Sequence, residues 1–133
     1  MATVDLPHGT IHYRQSGSGA PIVFLHGYLM GANLWDPVVQ LLDGEFGCIT
    51  PDLPFGAHPT PIAPAADLTT AGLGRLVADF LQALDLYQVI LSATTPAARS
   101  PRWWPRATLN GWVGWCWPPA TPSTTILPGC FAR

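Results

Sequence analysis

The stretch IVFLHGYLMGANLW, residues 22–35, decides the fold class of this chain of 133 residues. Its first four residues are apolar without alternation, which predicts a central parallel strand covered on both faces. The strand passes directly into His26-Gly27, and a short loop leads to a helix that starts beside Trp35 and Asp36-Pro37. Apolar residues follow at helical spacing, namely Leu34, Val38, Leu41 and Leu42. The pattern therefore predicts a strand, a tight loop and a helix.

The residues on either side extend this pattern. Upstream, residues 10–14 alternate around Ile11 and Tyr13 and end in a Ser-Gly-Ser-Gly turn, which predicts a strand. Downstream, residues 46–50 predict another short strand, which ends at the turn Pro51-Asp52-Leu53-Pro54. A proline-rich excursion through Ala66 follows.

The clearest helical period of the chain lies between residues 73 and 84. Its apolar positions are Leu73, Leu76, Val77, Phe80, Leu81 and Leu84, and Asp67 with Thr69 or Thr70 are its candidate caps. Residues 88–91 then predict another buried strand. Two or three leading strands followed by βαβαβ predict an α/β fold with a mostly parallel sheet.

The chain changes character between Leu91 and Ser92. Residues 1–91 hold all eight acidic groups and one of the six tryptophans, whereas residues 92–133 hold no acid, five tryptophans, four arginines and seven prolines. We therefore divide the chain into an α/β part, residues 1–91, and a Trp/Pro-rich tail, residues 92–133. We expect the tail to be irregular and disordered, and to leave one edge of the 88–91 strand unpaired.

Composition excludes several classes of function. The net charge is −2, and the four arginines of the tail are too few and too scattered to predict nucleic-acid binding. The chain starts without a secretory signal pattern and has no apolar run long enough for a membrane span, so we expect a cytoplasmic protein without a membrane partner. The three cysteines, Cys48, Cys116 and Cys130, lack metal-ligand spacing, so we expect no metal and no cofactor. The oligomeric state cannot be inferred.

Taken in order, these motifs resemble the α/β-hydrolase family over residues 10–91. Residues 22–35 resemble its His-Gly segment, residues 49–58 its Asp-containing turn after the next strand, and Val89 to Leu91 its approach to the nucleophile. The resemblance implies a truncated α/β-hydrolase fold, with strands up to the one before the nucleophile elbow.

The resemblance also gives the loop at His26 and Gly27 a role. In this family the backbone N–H of the residue after His-Gly, here Tyr28, is one of two oxyanion-hole donors. The dipeptide also forms a tight strand-to-helix turn, and both interpretations hold together. Haloalkane dehalogenases typically carry asparagine at the position of Tyr28, so tyrosine argues against that substrate class. We interpret Trp35 as a core residue.

The nucleophile elbow, a turn of the form G-x-nucleophile-x-G, is missing. Residues 92–98 are Ser-Ala-Thr-Thr-Pro-Ala-Ala, with proline where a helix should begin and alanine in place of glycine. All four histidines, His8, His12, His26 and His58, precede this point, whereas the family's catalytic histidine follows it. No catalytic residue is therefore assigned, and we expect the chain to be inactive.

A shifted reading frame accounts for the tail. Tryptophan has the single codon TGG, so Trp103-Trp104-Pro105 fixes bases that encode Val-Ala when read one base over. Residues 115–118 likewise encode Val-Leu-Ala, and residues 103–118 are compatible with VAARHPERVGRLVLA, which resembles the helix and strand after the nucleophile. Residues 92–100 are compatible with VGNDTGGAI, an elbow carrying aspartate. We infer a one-base deletion near the Leu91 codon.

The intact parent is then a hydrolase acting on a small-molecule ester, halide or epoxide. Its nucleophile is aspartate if the shifted elbow is right, and serine is the alternative, because codon degeneracy permits the aspartate without forcing it. The competing hypothesis is a non-catalytic binding module, in which the tail's tryptophans bind sugar or a proline-rich partner.

Overall fold

The computed structural model describes residues 1–55 and 58–94, and the main chain alone of residues 114–116. It begins with an antiparallel hairpin of β1 (Ala2–Leu6) and β2 (Gly9–Ser16). Next come β3 (Ala20–Leu25), a 3₁₀ turn (Ala32–Trp35) and the short helix α1 (Asp36–Leu42).

The second half of the described chain repeats the strand–helix order. Strand β4 (Phe46–Pro51) precedes the longer helix α2 (Thr70–Ala83), which is followed by β5 (Ile90–Ala93) and β6 (Gly114–Cys116). Each strand and helix predicted from sequence is present. The sequence had located neither β1 nor β6.

These strands form one mixed sheet in the order β1-β2-β4-β3-β5-β6. The first hairpin joins the sheet through antiparallel pairing of β2 with β4, and β4, β3, β5 and β6 run parallel to one another. Ile22 of β3 pairs with Cys48 on one side and with Ile90 on the other. The apolar run of residues 22–25 is thus an interior strand of the sheet, as predicted.

Alternate residues of β3 are buried on opposite faces of the sheet. Val23 and Leu25 join a large core with α2, whereas Ile22 and Phe24 join a smaller core with Trp35 and Cys48 on the other face. A strand covered on both faces cannot alternate apolar with polar residues, which explains the unbroken apolar run. Trp35 lies against Phe24 with ring centroids 5.1 Å apart, so the prediction that it is a core residue is confirmed.

The buried face of α1 differs from the predicted one. Leu34, Val38 and Leu41 are exposed, with 84% of Leu41 accessible, while Val39 and Leu42 pack towards the sheet. Trp35, Val39 and Leu42 follow the same helical spacing as the exposed set, one position along the chain. Burial of the large indole of Trp35 against Phe24 fixes the rotation of the helix, and apolar spacing alone does not distinguish the two faces.

Helix α2 begins at a cap that the sequence had named. The side chain of Thr69 accepts a hydrogen bond from the N–H of Gly72 at 3.2 Å, and Asp67 accepts one from the N–H of Thr69 at 3.0 Å. Asp67 also pairs with Arg75 one turn into the helix. These hydrogen bonds hold the pKa of Asp67 below its ordinary value, with Arg75 adding to the effect. Among the described residues no helix is both long and apolar enough to cross a bilayer.

The expected unpaired edge beside β5 is occupied. Ile90, Leu91 and Ser92 pair in parallel with Gly114, Trp115 and Cys116, so that prediction is wrong for this part of the tail. Main-chain N–H and C=O groups need partners whatever side chains they carry, which allows a segment of unrelated sequence to take the position. Strand β5 also runs past Leu91 to Ala93. The rest of the tail lies outside the described residues, and the division at residue 91 stays a prediction.

Gly72 offers a test of the α2 cap. A Cβ at this buried position would overlap the carbonyl oxygen of Asp67, so we expect Gly72→Ala to lower the free energy of unfolding by about 1–3 kcal/mol, as overpacking typically does. The measurement is urea denaturation followed by circular dichroism. Gly44→Ala is the matched control, because no atom lies within 4 Å of a Cβ there, and should be neutral or slightly stabilising. Equal losses in both variants would contradict the packing argument.

Candidate functional site

Three loops meet where the parallel strands end. The His-Gly loop, residues 26–31, follows β3, the segment 52–55 follows β4, and Thr94 follows β5. Because β3 lies between β4 and β5 and all three run the same way, their carboxyl ends lie at one edge of the sheet. Open α/β sheets bind ligands at this edge.

His26 joins the first two loops. Its buried ring accepts a hydrogen bond at Nε2 from the N–H of Leu53, at 2.8 Å, and Nδ1 lies 3.0 Å from the carbonyl oxygen of Gly27. Since Nε2 accepts, the network assigns the ring proton to Nδ1, which then donates to Gly27. Phe55 packs edge-on against the same ring at 5.7 Å. With both nitrogens bonded inside the protein, His26 serves as a structural crosslink, and its ring has no nitrogen left for proton transfer.

Gly27 starts a tight turn, as the sequence predicts. The N–H of Met30 donates to the carbonyl of Gly27 at 3.3 Å, and Leu29 at the third position of the turn has a φ of 59°. This left-handed conformation costs a residue with a side chain roughly 1–2 kcal/mol. The N–H of Leu29 donates to the carbonyl of Phe55 at 3.0 Å, and this contact from the neighbouring loop helps to hold the strained residue.

Tyr28 lies at the second position of this turn. Its side chain is 68% exposed and stacks on Phe55, with ring centroids 5.3 Å apart and an interplanar angle of 27°. The Tyr28 N–H takes part in neither hydrogen bond of the turn, so it can donate to a bound group. The oxyanion role that the resemblance implies for Tyr28 stays a prediction.

Asp52 is a residue whose role the sequence did not reveal. Its Oδ1 accepts a hydrogen bond from the N–H of Ala32 at 2.8 Å, and its own N–H donates to the carbonyl of His12 at 2.8 Å. The sequence signal was the position of Asp52 directly after β4, within the turn that resembles the family's Asp-containing turn. Its partner lies 20 residues away along the chain, which no local pattern indicates.

Thr94, which follows β5 at the place where the family has its nucleophile elbow, lies beside the start of the His-Gly loop. The N–H of Thr94 donates to the carbonyl of Leu25 at 3.3 Å, so the end of β5 is fixed next to the residue that precedes His26. The Thr94 hydroxyl oxygen is buried and has no hydrogen-bond partner among the described residues. Residues 95–113 and 117–133, which include Cys130, lie outside the description, as does the side chain of Cys116.

The described part of the chain also bears on the expectation that no metal is bound. Within them, no group of three or more His, Cys, Asp or Glu side chains gathers at metal-binding distances. Burial raises the pKa of the Cys48 thiol, with a further contribution from Asp43, and a protonated thiol in the core is a poor ligand and a poor nucleophile.

The crosslink at His26 can be tested by stability. His26→Leu would leave the N–H of Leu53 without a partner in a buried site, while the carbonyl of Gly27 would keep the N–H of Met30, and we expect a loss of about 1–3 kcal/mol in the free energy of unfolding. His8→Leu is the control, because His8 is half-exposed and makes only a 3.7 Å contact with Asp79, so its loss should stay within about 0.5 kcal/mol. Urea denaturation measures both variants. A His26→Leu chain as stable as the control would show that the crosslink contributes nothing.

Several known hydrolases are similar to this chain in sequence. Among curated proteins, the chain is similar to a pimeloyl-[acyl-carrier protein] methyl ester esterase of Pseudoalteromonas atlantica, 30% identical over 118 residues that cover 73% of this chain and 46% of the esterase. It is also similar to an (E)-2-((N-methylformamido)methylene)succinate hydrolase of Acinetobacter baylyi, 34% identical over 44% of this chain and 22% of that enzyme. The chain therefore spans less than half the length of these relatives.

Solved structures agree on the fold. The N-acyl homoserine lactonase AidH superposes with a TM-score of 0.62 at 24% identity, covering 68% of this chain and 34% of that one. A structure described as an epoxide hydrolase from Pseudomonas aeruginosa superposes with a TM-score of 0.65 at 22% identity, covering 74% and 33%. The family model for the alpha/beta hydrolase fold matches residues 20–93, which are more than half of the chain and include the His-Gly loop and the segment 52–55. The chain belongs to the α/β-hydrolase family.

Proposed function

We propose that this chain is the amino-terminal part of a hydrolase whose reading frame has shifted near the Leu91 codon, and that it is catalytically inactive. The observation that carries the proposal is the contrast at the end of β5. Strands β3 to β5 and the His-Gly loop follow the family, and the family match ends at residue 93. The next residues lack the glycines and the nucleophile of the elbow.

The position of β6 supports the shifted frame. Residues 94–113 separate β5 from β6, which is ample for the crossover of roughly a dozen residues or more that parallel neighbours require. In the shifted frame, the bases of residues 115–118 encode Val-Leu-Ala, and β6 ends at Cys116. A one-base shift changes every residue but keeps the spacing of codons. The parent's next strand would therefore lie at the same distance from β5 as β6 does here.

Inactivity follows from what acyl or alkyl transfer requires. A nucleophile must stand within reach of the oxyanion donors, and a histidine must activate the nucleophile or the water that releases the product. In this chain the four histidines all precede β5, and His26, which starts the loop after β3, has both ring nitrogens bonded to the protein. Without a nucleophile no negative charge develops on a substrate, so the Tyr28 N–H has no transition state to stabilise.

For the intact parent, we propose hydrolysis of a small ester, halide or epoxide. Similarity to an esterase and to the fold of an epoxide hydrolase supports this range of bond types without choosing within it. The shifted elbow favours aspartate. With a halide or epoxide, its carboxylate would attack the substrate carbon and form a covalent ester while the carbon–halogen bond or the ring carbon–oxygen bond breaks. Water would then attack the carbonyl carbon of that ester, which releases the alcohol and restores the carboxylate. A cytoplasmic location and a small-molecule partner are part of the same proposal. The alternative Trp/Pro binding module lies in residues whose side chains the structure does not describe.

We expect the purified chain to hydrolyse p-nitrophenyl acetate, 1-bromobutane and styrene oxide no faster than buffer. Loss of a whole triad typically removes about six powers of ten in turnover, so residual binding cannot restore a measurable rate. The assay follows product release by absorbance or gas chromatography, with a mock purification as control. A rate that survives purification and disappears in Tyr28→Pro, which lacks the backbone N–H, would overturn the proposal.

Restoring one base near the Leu91 codon should give an open frame with an elbow, a histidine well downstream and measurable hydrolysis. Its control is the same restored chain with the elbow nucleophile changed to alanine, which should lose the activity. In water enriched in heavy oxygen, a single turnover should label an aspartate nucleophile, whereas a serine enzyme places the label in the released acid. A stop codon within a few tens of codons of the restored base would contradict the frameshift.

A further inference from the structure

The far end of the His-Gly loop is fixed by a carboxylate from another segment. Ala32 is the first residue of the 3₁₀ turn that leads into α1, and Gly31 before it has no side chain to cap the turn. The first N–H groups of a helix have no partner within the helix. Oδ1 of Asp52 supplies one for Ala32 at 2.8 Å, in a partly buried position.

Asp52 is itself anchored to the sheet. It directly follows β4, and its N–H donates to the carbonyl of His12 in β2 at 2.8 Å. Phe55, three residues later, binds the middle of the His-Gly loop through the N–H of Leu29 and the ring of Tyr28. The segment 52–55 therefore contacts the loop at its start through His26, at its middle, and at its end through Ala32.

We propose that Asp52 is a positioning residue for the Tyr28 N–H, an inference that rests on the proposed oxyanion role of that group. Leu29 is held in a strained left-handed conformation, so the turn relaxes unless both of its ends are fixed. His26 fixes the beginning of the loop and Asp52 fixes its end. Loss of the Asp52 contact frees the N–H of Ala32 and lets the Gly27–Met30 turn shift. The direction of the Tyr28 N–H then changes. A displacement of about 1 Å is enough to decide whether such a donor can stabilise a transition state.

The test uses NMR spectra of the full chain with isotope-labelled amide nitrogens, and it does not depend on catalytic turnover. In Asp52→Leu, which removes the acceptor and keeps a side chain of similar size, we expect hydrogen exchange at the Ala32 amide to accelerate about tenfold or more. We expect exchange at Leu29 to accelerate with it, and the amide resonance of Tyr28 to move. Asp52→Asn retains a side-chain oxygen acceptor, so it should keep the Tyr28 resonance near its original position.

A general loss of stability is separated from positioning by Gly72→Ala. That variant weakens the α2 cap, whose hydrogen bonds join Thr69 to Gly72 and Asp67 to Thr69 without involving the loop, and should leave the Tyr28 resonance in place. The proposal is overturned if Asp52→Leu exposes Ala32 while Tyr28 and Leu29 stay unchanged, or if Asp52→Asn moves Tyr28 as far as Asp52→Leu does. If Asp52→Leu does not fold, the comparison of Asp52→Asn with Asp52→Ser decides in the same way. Failure of the proposed hydrolase function appears only in the restored-frame assay, so the two results are distinguishable.

Discussion

The structure depends on the two-sided pairing of β3. Its backbone binds β4 on one side and β5 on the other, so every residue from Ile22 to Leu25 must be buried on one face or the other. This pairing sets the direction of all three strands and their register relative to one another. As a result, the His-Gly loop, the segment 52–55 and the end of β5 meet at one edge. The candidate site exists because three separate stretches of sequence end at the same level of one sheet.

Sequence predicted this arrangement where a local rule determines it. The apolar run of β3, the period of α2 and the cap at Thr69 each depend on residues within a few positions of one another, and the structure confirms them. Prediction failed where the deciding contact is distant. Leu41 has the same helical spacing as a core residue, yet contact of Trp35 with Phe24 rotates α1 and leaves Leu41 in solvent.

The site shows the same division. The turn at His26 and Gly27 was predicted from the dipeptide. The His26 ring crosslinks two loops by accepting a hydrogen bond from the N–H of Leu53, which lies 27 residues away along the chain. Asp52 was recognised as part of a turn, and its role emerged only with Ala32 as its partner. The left-handed Leu29 had no signal at all, because leucine is a residue type that avoids this conformation, and tertiary contacts impose it.

Main chain and side chains respond differently to a change of reading frame, so the proposed frameshift is compatible with the pairing of β6 against β5. Strand pairing uses N–H and C=O groups that every residue except proline provides, so Gly114–Cys116 can occupy the edge of β5 with unrelated side chains. A nucleophile elbow uses one reactive side chain and small neighbours that allow a sharp turn, and no backbone interaction substitutes for them. Under the proposed shift, catalysis would be lost before the sheet. The contacts that hold the His-Gly loop, made by His26, Leu29 and Ala32 with residues 52–55, all lie upstream of the proposed shift, so the loop would keep its geometry whether or not the chain catalyses a reaction.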